Sequence, residues 1–280
     1  MGVPRIAVFG TGGVGGYFGG RLAQAGADVQ LVARGRHLEQ LRKHGLRVRS
    51  VRGDFELPVP ATDDPAEIGP CDYVLFAVKS YDTSSAARRL GPLVGEGTAV
   101  VSLQNGLGNE ERIAEHVGRD HVMGGVAYIW AHIAEPGVIE DIGGTGKVAF
   151  GELDGTRSMR AERLLELFTE AGVTAELPAD VRSAIWHKYT FILALSGMTA
   201  VVRRPLGDIR DTPETWAMFE QLLTEGLALA EAEAVALPSD TMEVHRRFAH
   251  GLEPHGYSSL HHDLVNGRRM ELEALHGEAV

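Results

Sequence analysis

Over the first 180 residues, short apolar runs alternate with longer stretches of helical spacing; beyond that point the runs stop. Residues 6–9, 29–33, 73–78 and 98–103 are too short for helices. They also lack the in–out alternation of a half-solvated strand, so they predict strands buried on both faces of a parallel sheet. Helices are predicted between them, over residues 16–25, 37–44, 83–93 and 109–117. Residues 45–60 follow a different rule. Leu46, Val48, Val51, Phe55, Leu57 and Val59 are spaced around Arg52-Gly53-Asp54, the pattern of an antiparallel hairpin. Residues 121–130, 137–141, 147–150 and 173–177 predict further strands, and 161–170 a helix. After Asp180 only helical periodicity remains: to about residue 195, then 212–235, 239–249, and from Ser258 onward. The expected architecture is an α/β domain over residues 1–180, followed by an all-helical domain over residues 181–280.

The turn after the first strand refines the first half. Gly10-Thr11-Gly12-Gly13-Val14-Gly15 is a G-x-G-x-x-G pattern leaving a strand and opening a helix, with a second strand behind it. In that βαβ setting the glycines form a dinucleotide fingerprint, and the domain is expected to be of the Rossmann type. Gly10 permits the tight turn, Gly12 lets the backbone approach a pyrophosphate, and Gly15 lets the helix lie close on the strand. The helix N-terminus supplies N–H donors and a positive dipole end. Where an NAD-binding protein carries Asp or Glu at the end of the second strand, this chain reads Ala33-Arg34, with Arg36 behind. A carboxylate repels a 2′-phosphate and a guanidinium grips one, so NADP is the expected cofactor. The plain alternative for Arg34 is a solvated surface arginine.

Composition narrows the classes of function. At 280 residues, 44% hydrophobic and 23% charged, the chain suits two soluble domains. A net charge of −11 argues against a nucleic-acid surface. No apolar run is long enough to span a membrane, and no signal-peptide core precedes the first strand. The single cysteine, Cys71, fits a reducing cytoplasm. His261-His262-Asp263 are adjacent on one helix and point apart, and no zinc-type spacing exists elsewhere, so no metal site is expected.

Only four of the 27 basic residues are lysines: Lys43, Lys79, Lys147 and Lys188. Lys188 falls on one helical stripe with Val181, Ala184, Ile192 and Leu195, in a segment apolar nearly all round. It either snorkels out or serves a pocket, where burial lowers its pKa toward that of a proton donor. Lys79 and Asn105 stand at the C-terminal ends of predicted strands, which border the ligand crevice of an open α/β sheet. Asn105-Gly106 is equally a good turn. Glu271 shares a predicted stripe with Leu260, Leu264 and Leu275, or else forms a surface pair with Arg268 or Arg269. Ser258 and Ser259 have N-capping as their default role.

In this order the motifs resemble the ketopantoate reductases (2-dehydropantoate 2-reductases). They are the glycine turn with Arg34, Val78-Lys79, Gln104-Asn105-Gly106, Pro136-Gly137, Trp186-x-Lys188, Thr199-Ala200, Pro205-x-Gly207-Asp208, and Ser258-Ser259 ahead of Glu271. The resemblance covers essentially the whole chain. It implies NADPH-dependent reduction of a 2-oxo acid, ketopantoate to pantoate, on the pantothenate and coenzyme A route. Lys188 would be the proton donor, and Glu271 would orient it or the substrate hydroxyl. Gly10 to Gly15, Arg34, Lys79, Asn105 and Ala131 would meet the cofactor. Asn105, Lys188 and Ser259 would meet the substrate, with Ile192 and Ser196 at positions where the family carries asparagines. Leu206 replaces a third family asparagine. The resemblance further implies another helix after Val280, and leaves a homodimer open as the assembly. The lost amides bring in a reductase of a more apolar 2-oxo acid or of an imine as an alternative. A non-catalytic NADP-binding sensor is a second alternative.

Overall fold

The computed structural model describes residues 2–280, which divide into two compact units. One comprises the chain up to Gln104 together with Asn109–Val181. The other comprises Asn105–Gly108 and Arg182–Val280.

The first unit is built on a ten-stranded sheet. In chain order it runs β1 (Arg5–Phe9), α1 (Gly13–Gln24), β2 (Asp28–Val32), α2 (Gly35–His44), β3 (Leu46–Ser50), β4 (Phe55–Leu57), β5 (Ala61–Thr62) and β6 (Tyr73–Phe76). It continues with α3 (Thr83–Ala87), β7 (Ala99–Ser102), α4 (Asn109–Val117), β8 (Val122–Glu135), β9 (Val138–Glu152), α5 (Met159–Glu170) and β10 (Ala175–Glu176). The spatial order is β4-β3-β9-β8-β7-β6-β1-β2-β5, with β10 on β9. β1 pairs in parallel with β2 on one side and β6 on the other. The chain therefore reverses its direction of travel across the sheet beside β1, which is where such sheets open a crevice at their strand ends.

Strand periodicity explains the core. In β1, Ile6 and Val8 belong to one apolar cluster, while Ala7 and Phe9 belong to the cluster on the opposite face. In β6, Tyr73 and Leu75 face one way, and Val74 and Phe76 the other. Both faces are covered, so Ile6–Phe9 and Tyr73–Phe76 form unbroken buried runs.

Two expectations change here. The strands expected at 137–141 and 147–150 are one continuous strand, β9, paired antiparallel with β8. Gly143, Gly144 and Gly146 interrupt the apolar pattern in the sequence, yet they only bend the ladder, at register shifts near Tyr128 and Trp130. The helix expected over 83–93 closes after Ala87.

The second unit contains α6 (Val181–Val202) from Arg182 onward, α7 (Leu206–Asp211), α8 (Pro213–Ala232), α9 (Thr241–Gly251), α10 (Ser259–Val265) and α11 (Leu272–Leu275). α6 is apolar around most of its girth because it is packed on two sides. Phe191, Ala194 and Met198 join Phe219 and Leu223 of α8 and Ala249 of α9, while Trp186, Tyr189 and Leu193 join Ala230 and Val235. The single helix expected from Ser258 is two short ones. Gly267, at φ +61°, ends the first, so Glu271 does not share a continuous stripe with Leu260 and Leu264. No helix among the described residues is long and apolar enough to cross a membrane.

Candidate active site

In the second unit the chemistry gathers around Lys188. This residue is half-buried on α6, and its Nζ donates a hydrogen bond of 2.7 Å to Asn105 Oδ1. The short segment carrying Asn105 is tied to α11: Gly106 adopts φ +89°, and the Leu107 amide donates to the Ala274 carbonyl at 3.1 Å. A Cβ on Gly106 would lie 2.4 Å from that same carbonyl oxygen, so only glycine fits this approach. Glu271, at the N-cap of α11, is buried and interacts with Lys188 through its charge. Tyr189, next to Lys188 on α6, donates its hydroxyl to the Leu275 carbonyl. The 271–276 segment is thus strapped across α6, which places a buried carboxylate by the lysine without the helical stripe expected from the sequence.

Burial sets the acidity of this site. Desolvation disfavours the ammonium and brings the Lys188 pKa down to about 8, with the charge of Glu271 pulling it back up. The amine therefore exchanges a proton near neutral pH, as a general acid must.

Ile192 and Ser196 follow Lys188 by one and two turns. Ile192 is half-buried and offers an apolar wall. Ser196 is buried, with its Oγ 3.0 Å from Nε2 of His276, the residue that ends α11. Ser258 caps α10 by accepting from the His261 amide, and it lies 2.7 Å from Thr199 Oγ1. Ser259, one residue on, is exposed in the first turn of α10.

In the first unit the glycine turn is held against β2. The amides of Gly10 and Thr11 donate to the Val32 carbonyl, as does the Thr11 hydroxyl at 3.1 Å. Thr11 is buried, so its side chain belongs to the scaffold and only its backbone faces the turn. Gly10 sits at φ +99°, and a Cβ there would strike the Val78 amide after β6. A Cβ on Gly15 would strike the Gly10 carbonyl and Val8, the close helix-on-strand contact expected of it. Gly13 is pressed against the backbone of Ala131 on β8, which brings Ala131 to the glycine turn. Gly12 has open space in front of it.

The N-terminus of α1 has no side-chain cap and no acidic residue in its first turn. Uncapped N–H groups with open space at Gly12 fit the pyrophosphate of a dinucleotide. Arg34, at the N-cap of α2, is largely exposed and pairs with Asp82 at 2.6 Å. Lys79 is exposed in the turn after β6. Among the described residues no group of three His, Cys, Asp or Glu side chains could hold a metal ion.

Sequence reasoning missed His276 and Asp82. His276 carries no signal at all, because its partner lies 80 residues away. Asp82 could have been found, since it follows Lys79 by three residues in a turn already marked as bordering the crevice.

The family model described as "Ketopantoate reductase PanE/ApbA" matches residues 6–155, and its C-terminal counterpart matches residues 180–280. A 2-dehydropantoate 2-reductase of Halobacterium salinarum is 35% identical over 99% of this chain and 91% of its own length. An oxidoreductase of Bacillus subtilis is 31% identical over 98% of this chain and 90% of its own. The crystal structure of a 2-dehydropantoate 2-reductase from Geobacter metallireducens superposes with a TM-score of 0.91 at 32% identity, covering 98% of this chain and 91% of that one.

Proposed function

The chain belongs to the ketopantoate reductase family, and we propose that it reduces a 2-oxo acid, 2-dehydropantoate, to its 2-hydroxy acid with NADPH in the cytoplasm, as a step of pantothenate biosynthesis. The observation that carries this reading is the Lys188–Asn105 hydrogen bond at 2.7 Å beside the buried Glu271. A bound nicotinamide dinucleotide supplies the hydride to the carbonyl carbon.

Lys188 hydrogen-bonds the carbonyl oxygen and gives it a proton as negative charge develops there. Asn105 fixes the position of Nζ, and Glu271 helps keep the amine protonated in a buried place. Ser196 and Ser259 serve as substrate-binding residues, with Ile192 as the apolar wall. The backbone from Gly10 to Gly15 holds the pyrophosphate, Arg34 the 2′-phosphate, and Lys79, Asn105 and Ala131 further parts of the cofactor.

Ile192 favours a second reading of the substrate. An apolar side chain one turn beyond Lys188 suits a more apolar 2-oxo acid than ketopantoate. The test follows NADPH absorbance with purified protein against a panel of 2-oxo acids. Ketopantoate is expected to give the highest kcat/KM. A more apolar acid ahead by tenfold or more moves the substrate and keeps the chemistry. Tight NADPH binding with no turnover of any member rejects the enzymatic reading.

A further inference from the structure

We propose that Asp82 is a specificity-determining residue for the cofactor: by pairing with Arg34 it narrows the preference for 2′-phosphorylated over unphosphorylated dinucleotides. The inference rests on the reading of Arg34 as the group that meets the 2′-phosphate. Arg34 leaves β2 in an extended conformation and carries its side chain out with 84% of it exposed. Its Nη2 donates to Asp82 Oδ2 at 2.6 Å.

Asp82 is the anchored partner. Its side chain is only 22% exposed, its amide donates to the Lys79 carbonyl at 2.8 Å, and its own carbonyl accepts from Ser85 Oγ. A largely buried carboxylate therefore holds an exposed guanidinium. A phosphate dianion arriving at Arg34 either displaces Asp82 or shares the guanidinium with it, and in both cases it comes close to a negative charge. A guanidinium can serve two acceptors, but the carboxylate and the phosphate repel each other. The unphosphorylated ribose meets the opposite situation, because its 2′-hydroxyl is a donor that a carboxylate accepts. Asp82 thus weakens binding of the phosphorylated ligand and favours the plain one, although the strand end carries no acid of its own.

The experiment measures binding of 2′,5′-ADP and of 5′-AMP, which differ only in the 2′-phosphate, to the full chain by calorimetry, in the wild type, Asp82→Asn and Asp82→Ser. Both substitutions remove the charge, and two side chains guard against a local folding defect in either. The affinity ratio of 2′,5′-ADP over 5′-AMP is expected to rise about fivefold in each variant, the size of one exposed ion pair. The gain should shrink as salt rises from low to high concentration. An unchanged or lowered ratio in both variants overturns the proposal. The NADPH reading fails separately, when the wild type binds 5′-AMP as tightly as 2′,5′-ADP and Arg34→Gln changes neither.

Discussion

The surroundings of Lys188 make an ammonium costly. Burial brings its pKa to about 8, and Glu271 opposes that shift. A proton donor must be charged before it reacts, so kcat/KM is expected to be flat below neutrality and to fall as pH rises through about 8. Glu271→Gln removes the opposing charge, so the same limb should move to lower pH. A limb that moves upward, or stays in place, contradicts the role of Glu271. Lys188→Ala should lower kcat by roughly 10²- to 10⁴-fold, the range of general acid catalysis. Retention of most of kcat would show that another group protonates the oxygen. Lys188 stood out in the sequence because a lone lysine in an apolar stripe conflicts with its neighbours. The imidazole on Ser196 did not, because no periodicity joins residues that meet only in the fold.

At the scale of elements, the strap formed by residues 271–276 controls how the site is assembled. It meets α6 through Tyr189 and the 105–108 segment through the Ala274 carbonyl. Gly106→Ala places a methyl group 2.4 Å from that carbonyl, at a backbone φ of +89°. The strain alone costs about 1–2 kcal/mol, and the clash must push α11 away from the Asn105 segment. A displacement of about 1 Å near a catalytic group can cost 10²-fold in rate. The expected outcome is a loss of kcat of that order with only a modest fall in Tm. A variant with normal kcat would show that the strap tolerates movement. The sequence pattern revealed the parallel strands and the long α6, where every residue in a run obeys one period. It failed at the ends of elements. Gly267 divides a stripe that reads as continuous, and three glycines divide β9 in the sequence while leaving it whole in the sheet. A glycine marks where a chain can turn, and only the tertiary partners decide whether it does.

At the scale of the whole molecule, a net charge of −11 stands against the two anions that the proposed reaction needs, a 2-oxo acid and a pyrophosphate cofactor. On the proposed reading, recognition would come from local donors, the uncapped start of α1 and the Arg34 guanidinium, acting at short range within a repelling field. Binding to these groups in the folded state alone stabilises the fold by mass action. At about 100 times its Kd a ligand adds ~2.7 kcal/mol, which for a chain of this size raises Tm by roughly 5–10 °C. NADPH and NADH differ only at the 2′ position, so the difference between their shifts reports that position by itself. If the phosphate is worth about tenfold in affinity, NADH at the same concentration is at ~10 times its Kd and adds ~1.4 kcal/mol, about half the shift. Thermal unfolding followed with each cofactor should separate them by about 3–5 °C in the wild type, and by more in Asp82→Asn. Equal shifts for the two cofactors in both proteins would remove Arg34 from the recognition of the cofactor. Equal shifts in the wild type that separate in Asp82→Asn would instead show a phosphate site present but neutralised by its own carboxylate.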